Sequence, residues 1–308
     1  MTGTITTCKG ETVELPPFLQ WNIRRTDGDP CDAFAVQFPL DASMTQALQE
    51  AVTFTARQGW QTVFHGVVDD LELRLDANGL LAELTGRGMG AKLLDTQVRA
   101  AEYGSAQLED ILRVYVKACG ITRIEAEAMP PVSSFVVETG YTCWQVLSGF
   151  CRHSAGVLPR FSSDGTLILK KRSGGTHRDL TGGAGRISFE QNRYGAVAEQ
   201  TLINTRTGQR ETAVNAQVQE LGGFSTKVTG RSGSKIRATW RTAQQRIEDA
   251  AREFRTVRVQ LPGSFLAEPL DIVRLSVPEM GLRGEYTVAE AESSCDDTGE
   301  SCTLTMRE

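Results

Sequence analysis

One segment, Phe135–Lys171 (FVVETGYTCWQVLSGFCRHSAGVLPRFSSDGTLILKK), leaves little choice of local structure. Thr142, with Gln145 three residues on, forms a capping-box pattern, whose side chains satisfy two backbone N–H groups that a helix start leaves bare. Trp144, Leu147, Phe150 and Cys151 then recur at helical spacing and give the helix one apolar stripe. Gly156 supplies a left-handed residue to end it, and Ser163-Asp164-Gly165 turns the following chain into a hairpin. The spacing predicts a self-contained α/β unit in mid-chain.

Its flanks have a different period. FLQWNIRRT and DAFAVQFPL read as strands joined by the turn Thr26-Asp27-Gly28-Asp29-Pro30. Thr45–Thr55 fits either a short helix or a loop entering a strand. In TVFHGVVDDLELRLD, Leu71, Leu73 and Leu75 alternate with Glu72, Arg74 and Asp76, the pattern of a half-buried strand. The turn Ala77-Asn78-Gly79 leads to LLAELTGRG, and short strands at this density predict a small antiparallel barrel or sandwich over residues 1–96. From 97 to 180 the expectation is a central α/β domain. Its first helix starts at a Ser105 cap, runs through Leu108, Ile111, Leu112, Tyr115, Val116 and Cys119, and stops at Gly120.

Lys170–Arg186, rich in Gly and basic residues, reads as a linker. Residues 181–308 read as a second β-barrel domain. Its expected strands lie near 187–192 and 197–205 and in AVNAQVQEL, RTVRVQLPG, LDIVRLSVP, GEYTVAEAES and SCTLTMR. It also carries one helix over Thr242–Phe254 and a mobile loop over 222–236. Asp296-Asp297-Thr298-Gly299 marks the last hairpin. The fold class is thus α+β, two small antiparallel β-barrels flanking a central α/β unit, with the flanks as distant versions of one barrel.

Composition narrows the function classes. A chain of 308 residues accommodates two or three domains. A net charge of -5 argues against nonspecific nucleic-acid binding by its surface. No run of about 18 apolar residues is present, so no membrane span is expected. MTGTITTCKGETVEL lacks an apolar signal core, so a cytosolic origin is expected, and seven cysteines without framework spacing are expected to be thiols.

Motifs that resemble chemical signatures lack the context they need. Gly86-Arg87-Gly88-Met89-Gly90-Ala91 fits a dinucleotide fingerprint, yet AKLLD is too short a helix and no βαβ unit follows; glycines easing a strand into a tight turn explain it better. Gly230-Arg231-Ser232-Gly233-Ser234-Lys235 has the wrong spacing for a phosphate loop. Cys143, Cys151 and His153 are not spaced as a zinc site, and the two cysteines belong to the apolar helix stripe. His65, His153 and His177 have no recognisable nucleophile, and nothing selects a carboxylate pair among Asp69, Asp70, Glu72 and Asp76. The expectation is no catalytic, cofactor-binding or metal-binding residue, no cofactor and no enzyme.

The succession of elements resembles the phage tail baseplate-hub family, the late-control protein D and Mu-type tail hubs. The matching positions begin at Phe64-His65-Gly66-Val67-Val68, continue through Gly86-Arg87-Gly88 and Ala91 to Asp95, and then take in Tyr103, Leu108–Ile111 and Gly120. The central segment adds Gly140, Thr142, Trp144, Leu147, Gly156, Asp164 and Gly165, and the C-terminal strands and hairpin follow. The resemblance covers roughly residues 55 to 308. It departs at Pro269-Leu270-Asp271, where the family often has Pro-Gly-Asp and where leucine does not freely replace a positive-φ glycine.

The resemblance implies a homotrimeric baseplate hub of a phage tail or phage-derived injection machine, in which two tube-like modules per chain match a sixfold tail tube to a threefold spike. It implies contacts with tail tube or distal tail protein, central spike, tape measure protein and baseplate wedge proteins. DNA would be passing cargo only. The place implied is the virion tail baseplate, assembled in the host cytoplasm. The alternative is a tail-associated cell-wall hydrolase or a carbohydrate-binding module.

Overall fold

The computed structural model describes all residues except 28–30, 78, 172–173, 181–184, 253, 265–266 and 308. Four turn residues of the sequence reading, Gly28, Asp29, Pro30 and Asn78, therefore lie outside the described residues. The N-terminal region holds β1 (Thr2–Thr7), β2 (Thr12–Glu14), β3 (Gln20–Thr26), β4 (Ala33–Pro39), a short α1 (Thr45–Gln49), β5 (Ala51–Gln58), β6 (Gln61–Asp76) and β7 (Gly79–Gly88). The ambiguous 45–55 segment is both things, a helical turn and then a strand. Alternation in β4 buries Phe34, Val36 and Phe38. They meet Phe54 of β5 and Phe64 of β6, with Phe34 and Phe54 stacked at 4.3 Å.

The central unit comprises α2 (Ala91–Leu94), β8 (Ala101–Ala106), α3 (Leu108–Ile111), β9 (Ile124–Ala126), β10 (Val132–Val137), α4 (Cys143–Ala155), β11 (Arg160–Phe161) and β12 (Leu167–Leu169). Its main helix is capped as expected: Thr142 Oγ1 accepts from the Gln145 N–H at 3.2 Å, Gln145 reciprocates, and Gly156 ends the helix at φ 69°. The other expected helix is corrected. Ser105 lies in β8 and caps nothing; α3 is one turn followed by a π-helical turn (Leu112–Val116) and a 3-10 turn (Lys117–Cys119), ending at Gly120 with φ 77°. The π turn lets Ile111, Tyr115 and Val116 all reach the core beneath α4.

The C-terminal region runs β13 (His177–Asp179), β14 (Arg186–Gln191), β15 (Glu199–Asn204), β16 (Arg210–Val214), α5 (Ala216–Glu220), β17 (Thr226–Arg231), β18 (Ile236–Arg237), α6 (Ala243–Ala251), β19 (Arg255–Pro262), β20 (Ile272–Val277), β21 (Leu282–Asp296) and β22 (Gly299–Arg307). Three expectations fail here. The linker contains β13, paired in parallel with β20. AVNAQVQEL is the end of a strand plus α5, because Asn215 Oδ1 accepts from the Val218 N–H at 3.1 Å. The segment 222–236 is no loop throughout, since β17 adds in parallel to β15. The helix at 243–251 and the last hairpin form as expected, the helix with its own Thr242/Gln245 capping box.

The two barrels are also corrected. Both β regions join one sheet in the order β14-β19-β22-β21-β3-β4-β7-β6-β5-β1-β2, with β20 and β13 branching from β21, and the path is open among the described residues. The join is the β3–β21 ladder, from Trp21 opposite Cys295 to Thr26 opposite Glu290. It pairs edges that two separate modules would leave bare. Each half still keeps its own core, one around Phe54 and one around Leu304.

The halves repeat each other. The order β3-β4-β7-β6-β5 of the first corresponds to β14-β19-β22-β21-β20 of the second, all antiparallel, whereas the outer strands differ in sense, β1 being antiparallel to β5 and β13 parallel to β20. In the two long hairpins the match holds residue by residue: Asp76 opposite Gly79 and Asp296 opposite Gly299; Asp70 opposite Thr85 and Glu290 opposite Thr305; Val68 opposite Gly86 and Val288 opposite Met306. All these pairs sit at one constant sequence offset, and both long strands bulge at the same place, between Val68 and Asp70 and between Val288 and Glu290. The connection between β14 and β19, the counterpart of the β3–β4 turn, is expanded into β15–β18 with α5 and α6.

Candidate functional site

The residues weighed for chemistry from the sequence sit in close strand packing, surface ion pairs and core contacts. Gly86 lies where strands crowd: a Cβ there would sit 2.1 Å from the Val67 carbonyl oxygen and 2.6 Å from the Phe34 ring. The strand does leave into a turn at Met89-Gly90, as the sequence reading expected, and Gly86 is needed for close strand packing before it. Arg87 between the glycines donates to both oxygens of Asp69 (2.7 and 3.0 Å) and of Asp95 (3.2 and 2.7 Å). The Gly86-Arg87-Gly88 and Ala91–Asp95 motifs therefore meet as a clamp between β6, β7 and α2. At the surface such a pair contributes up to about 1 kcal/mol.

The histidines do not converge. His65 Nδ1 shares a hydrogen bond with Thr55 Oγ1 at 2.8 Å. The 162–166 hairpin of the central unit lies against its ring, leaving no room for a Cβ at Gly165. Burial, then the Arg123 charge, lowers the His65 pKa. In that hairpin burial opposes ionisation of Asp164, but hydrogen bonds from Ser162 and Thr166 and the ion pair with Arg123 outweigh it and hold the carboxyl down to about 2. His153 is lowered by burial and by Arg241 and Arg152, and its Nε2 has no partner. Burial pushes the thiols of Cys143 and Cys151 up to about 12, which suits core residues rather than nucleophiles. Among the described residues no group of three or more His, Cys, Asp or Glu is placed to hold a metal ion.

At the departure from the hub pattern, Leu270 does hold the backbone a glycine would, with φ 80°. Asp271 beside it is buried and accepts from the Thr176 N–H (3.1 Å), the Glu268 N–H (2.9 Å) and Arg178. It ties β13 to β20. Sequence reasoning did not single out Asp271, although the Pro-x-Asp pattern marked its place.

Surface features are then the candidates for function. Trp60, in the turn between β5 and β6, is fully exposed, and Leu75 projects near the end of the first long hairpin at 79% exposure. Tyr194, Phe224 and Val228 are exposed in the expanded loop of the second half. Exposed aromatic residues at strand ends and open edges are suited to contacts with other chains. No helix among the described residues is long and apolar enough to cross a membrane.

Comparison with known proteins defines the class first: the chain has the fold of phage tail proteins. The tail protein from Neisseria meningitidis MC58 matches with a TM-score of 0.75 and 16% identity, covering 100% of this chain and 96% of that one. The 43 kDa tail protein of prophage MuSo2 from Shewanella oneidensis matches with a TM-score of 0.75 and 17% identity, covering 100% and 98%. The E. coli c3393 protein, a component of the type VI secretion system, matches with a TM-score of 0.55 and 12% identity, covering 94% and 73%. No protein-family model and no curated protein matches the sequence. The likeness to tail proteins extends over the whole chain, while the two barrels expected from sequence are one open sheet among the described residues.

Proposed function

We propose that the protein is a structural baseplate hub of a phage tail or phage-derived injection machine, and that three copies form a ring on the tail axis. The observation that carries this reading is the repeat: two β halves of equal strand order, registered at one offset through their long hairpins. Three copies of a two-repeat chain present six similar modules. Such a ring meets a sixfold tube on one side and a threefold spike on the other, and heterologous contacts that close at three produce it. The end-to-end fold likeness to tail proteins supports the same reading.

In this account residues 1–96 and 181–308 supply the tube-like modules and 97–180 braces them from outside. The partners are the tail tube or distal tail protein, the spike, the tape measure protein and the wedge proteins, with DNA as cargo. The chain acts in the virion baseplate after assembly in the host cytoplasm, and it performs no catalysis. An electron-microscopy map of the assembled particle tests this. Three copies on the axis between tube and spike are expected. A peripheral position, or peptidoglycan clearing by the purified chain that a single carboxylate change abolishes, would overturn it.

A further inference from the structure

Where the first β half, the central unit and α6 meet, a cavity of about 250 Å³ opens between Thr26, His65, Trp144, Arg152, Phe161 and Arg241. A second concavity of about 380 Å³ shares Thr26, Asp249 and Arg252 with it, and adds Arg24, Arg258 and Arg307. The two form one cleft. On a chain whose net charge is -5, its lining gathers seven arginines, the four others being Arg152, Arg160, Arg241 and Arg252, and includes no lysine.

Three of the inner arginines, Arg152, Arg241 and Arg252, are poorly neutralised by the protein itself. Arg241 and Arg252 approach one carboxylate, Asp249, each at 3.7 Å, beyond hydrogen-bond reach. Arg152 Nη1 is buried with no hydrogen-bond partner. Burial, then the neighbouring Arg241, draws the Arg152 pKa down to about 10. A guanidinium held so close to others has a cost in the free chain that an incoming anion removes. Beside it, Trp144 and Phe161 stack with centroids 6.4 Å apart and give the cavity an apolar wall.

We propose that this cleft binds a carboxylate-bearing segment of a neighbouring protein, its acid between Arg152, Arg241 and Arg252 and its apolar flank against Trp144 and Phe161. A planar carboxylate matches the guanidinium fork. The lining carboxylates, Asp27, Asp32 and Asp249 in the cavity and Glu190 and Glu290 in the outer concavity, oppose a highly charged polyphosphate chain more than a ligand with a single carboxylate, and an inner cavity of about 250 Å³ does not admit a nucleic-acid duplex. The proposal stands on the cleft alone, because a monomeric chain would bind the same segment.

The test uses the full chain and a short peptide of alternating glutamate and leucine, read by tryptophan fluorescence, with three controls. These are a glutamine counterpart, inorganic phosphate and a single-stranded oligonucleotide. Saturable binding of the glutamate peptide is expected, weaker by about tenfold between low and high salt and absent for the glutamine peptide. Arg241→Gln is expected to weaken it about tenfold. Arg152→Met is expected to weaken it similarly while raising the melting temperature of the free chain, an outcome a purely structural arginine would not give. If Arg152→Met does not fold, Arg252→Gln provides the second comparison. No saturable peptide binding, equal or tighter binding of phosphate or oligonucleotide, or unchanged binding in the arginine variants would overturn the proposal.

Discussion

The two β halves share strand order and hairpin register but solve the same packing problem with different side chains. In the first, Phe34 lies opposite Gly86; in the second, the corresponding positions are Val257 opposite Met306. Large-plus-nothing in one half becomes medium-plus-medium in the other. The first core is aromatic, with Phe34, Phe38, Phe54 and Phe64, whereas the second relies on Val257, Val259, Leu304 and Met306 with Tyr286. What the repeat conserves is therefore the hydrogen-bonded frame and its bulge, while the filling varies so long as volume is kept.

The comparison can be broken most severely in the cores. Phe54→Ala is expected to cost about 3–5 kcal/mol and Leu304→Ala about 2–5 kcal/mol, measured by urea unfolding. Because the cores are distinct, the double variant should be additive to within about 0.5 kcal/mol. Strong coupling would mean that the halves share one core. Next in size is Gly86→Ala, which forces a methyl against the Val67 carbonyl and should cost about 1–3 kcal/mol or more, while Met306→Leu at the matching position should cost less than about 1.5 kcal/mol. Equal effects would deny the difference in packing.

A smaller effect has the opposite sign. Leu270→Gly relieves a left-handed leucine, and after the entropy that glycine gives the unfolded chain it should stabilise by about 0.5–1 kcal/mol. The smallest is the pH response at the borders of the central unit. The pKa values of His65 and His153 are lowered in the folded state, so the unfolded chain binds more protons, and stability falls as pH drops below about 6.5. His65→Gln with His153→Gln should flatten thermal stability between about pH 7 and pH 5. Asp164, held down to about 2, contributes stability above the unfolded carboxylate range that is lost only as pH falls towards that value.

Local signals were legible in the sequence, and distant pairings were not. Both capping boxes, at Thr142/Gln145 and Thr242/Gln245, announce their helices within four residues, and Asp296 to Gly299 announces its hairpin. β17 was missed because its partner β15 lies across a loop and its neighbours are Gly and Ser. β18 is two residues long and pairs in parallel with β10, a hundred positions earlier. Its following residue, Ala238, seats against Gly149 of α4, where a Cβ would lie 2.0 Å from the Ala238 carbonyl oxygen. No local pattern encodes such a contact. The β3–β21 ladder, which turned two expected barrels into one open sheet, is likewise set by elements at opposite ends of the chain. The arginine cleft was invisible for the same reason: Arg24, Arg152, Arg241 and Arg307 meet only in the fold.

The hub account rests on closing a ring from two-repeat chains, and stoichiometry tests it most directly. Native mass measurement of the purified chain should give a species of three times 33.6 kDa. A chain that stays monomeric, or that closes at any number other than three, would contradict it.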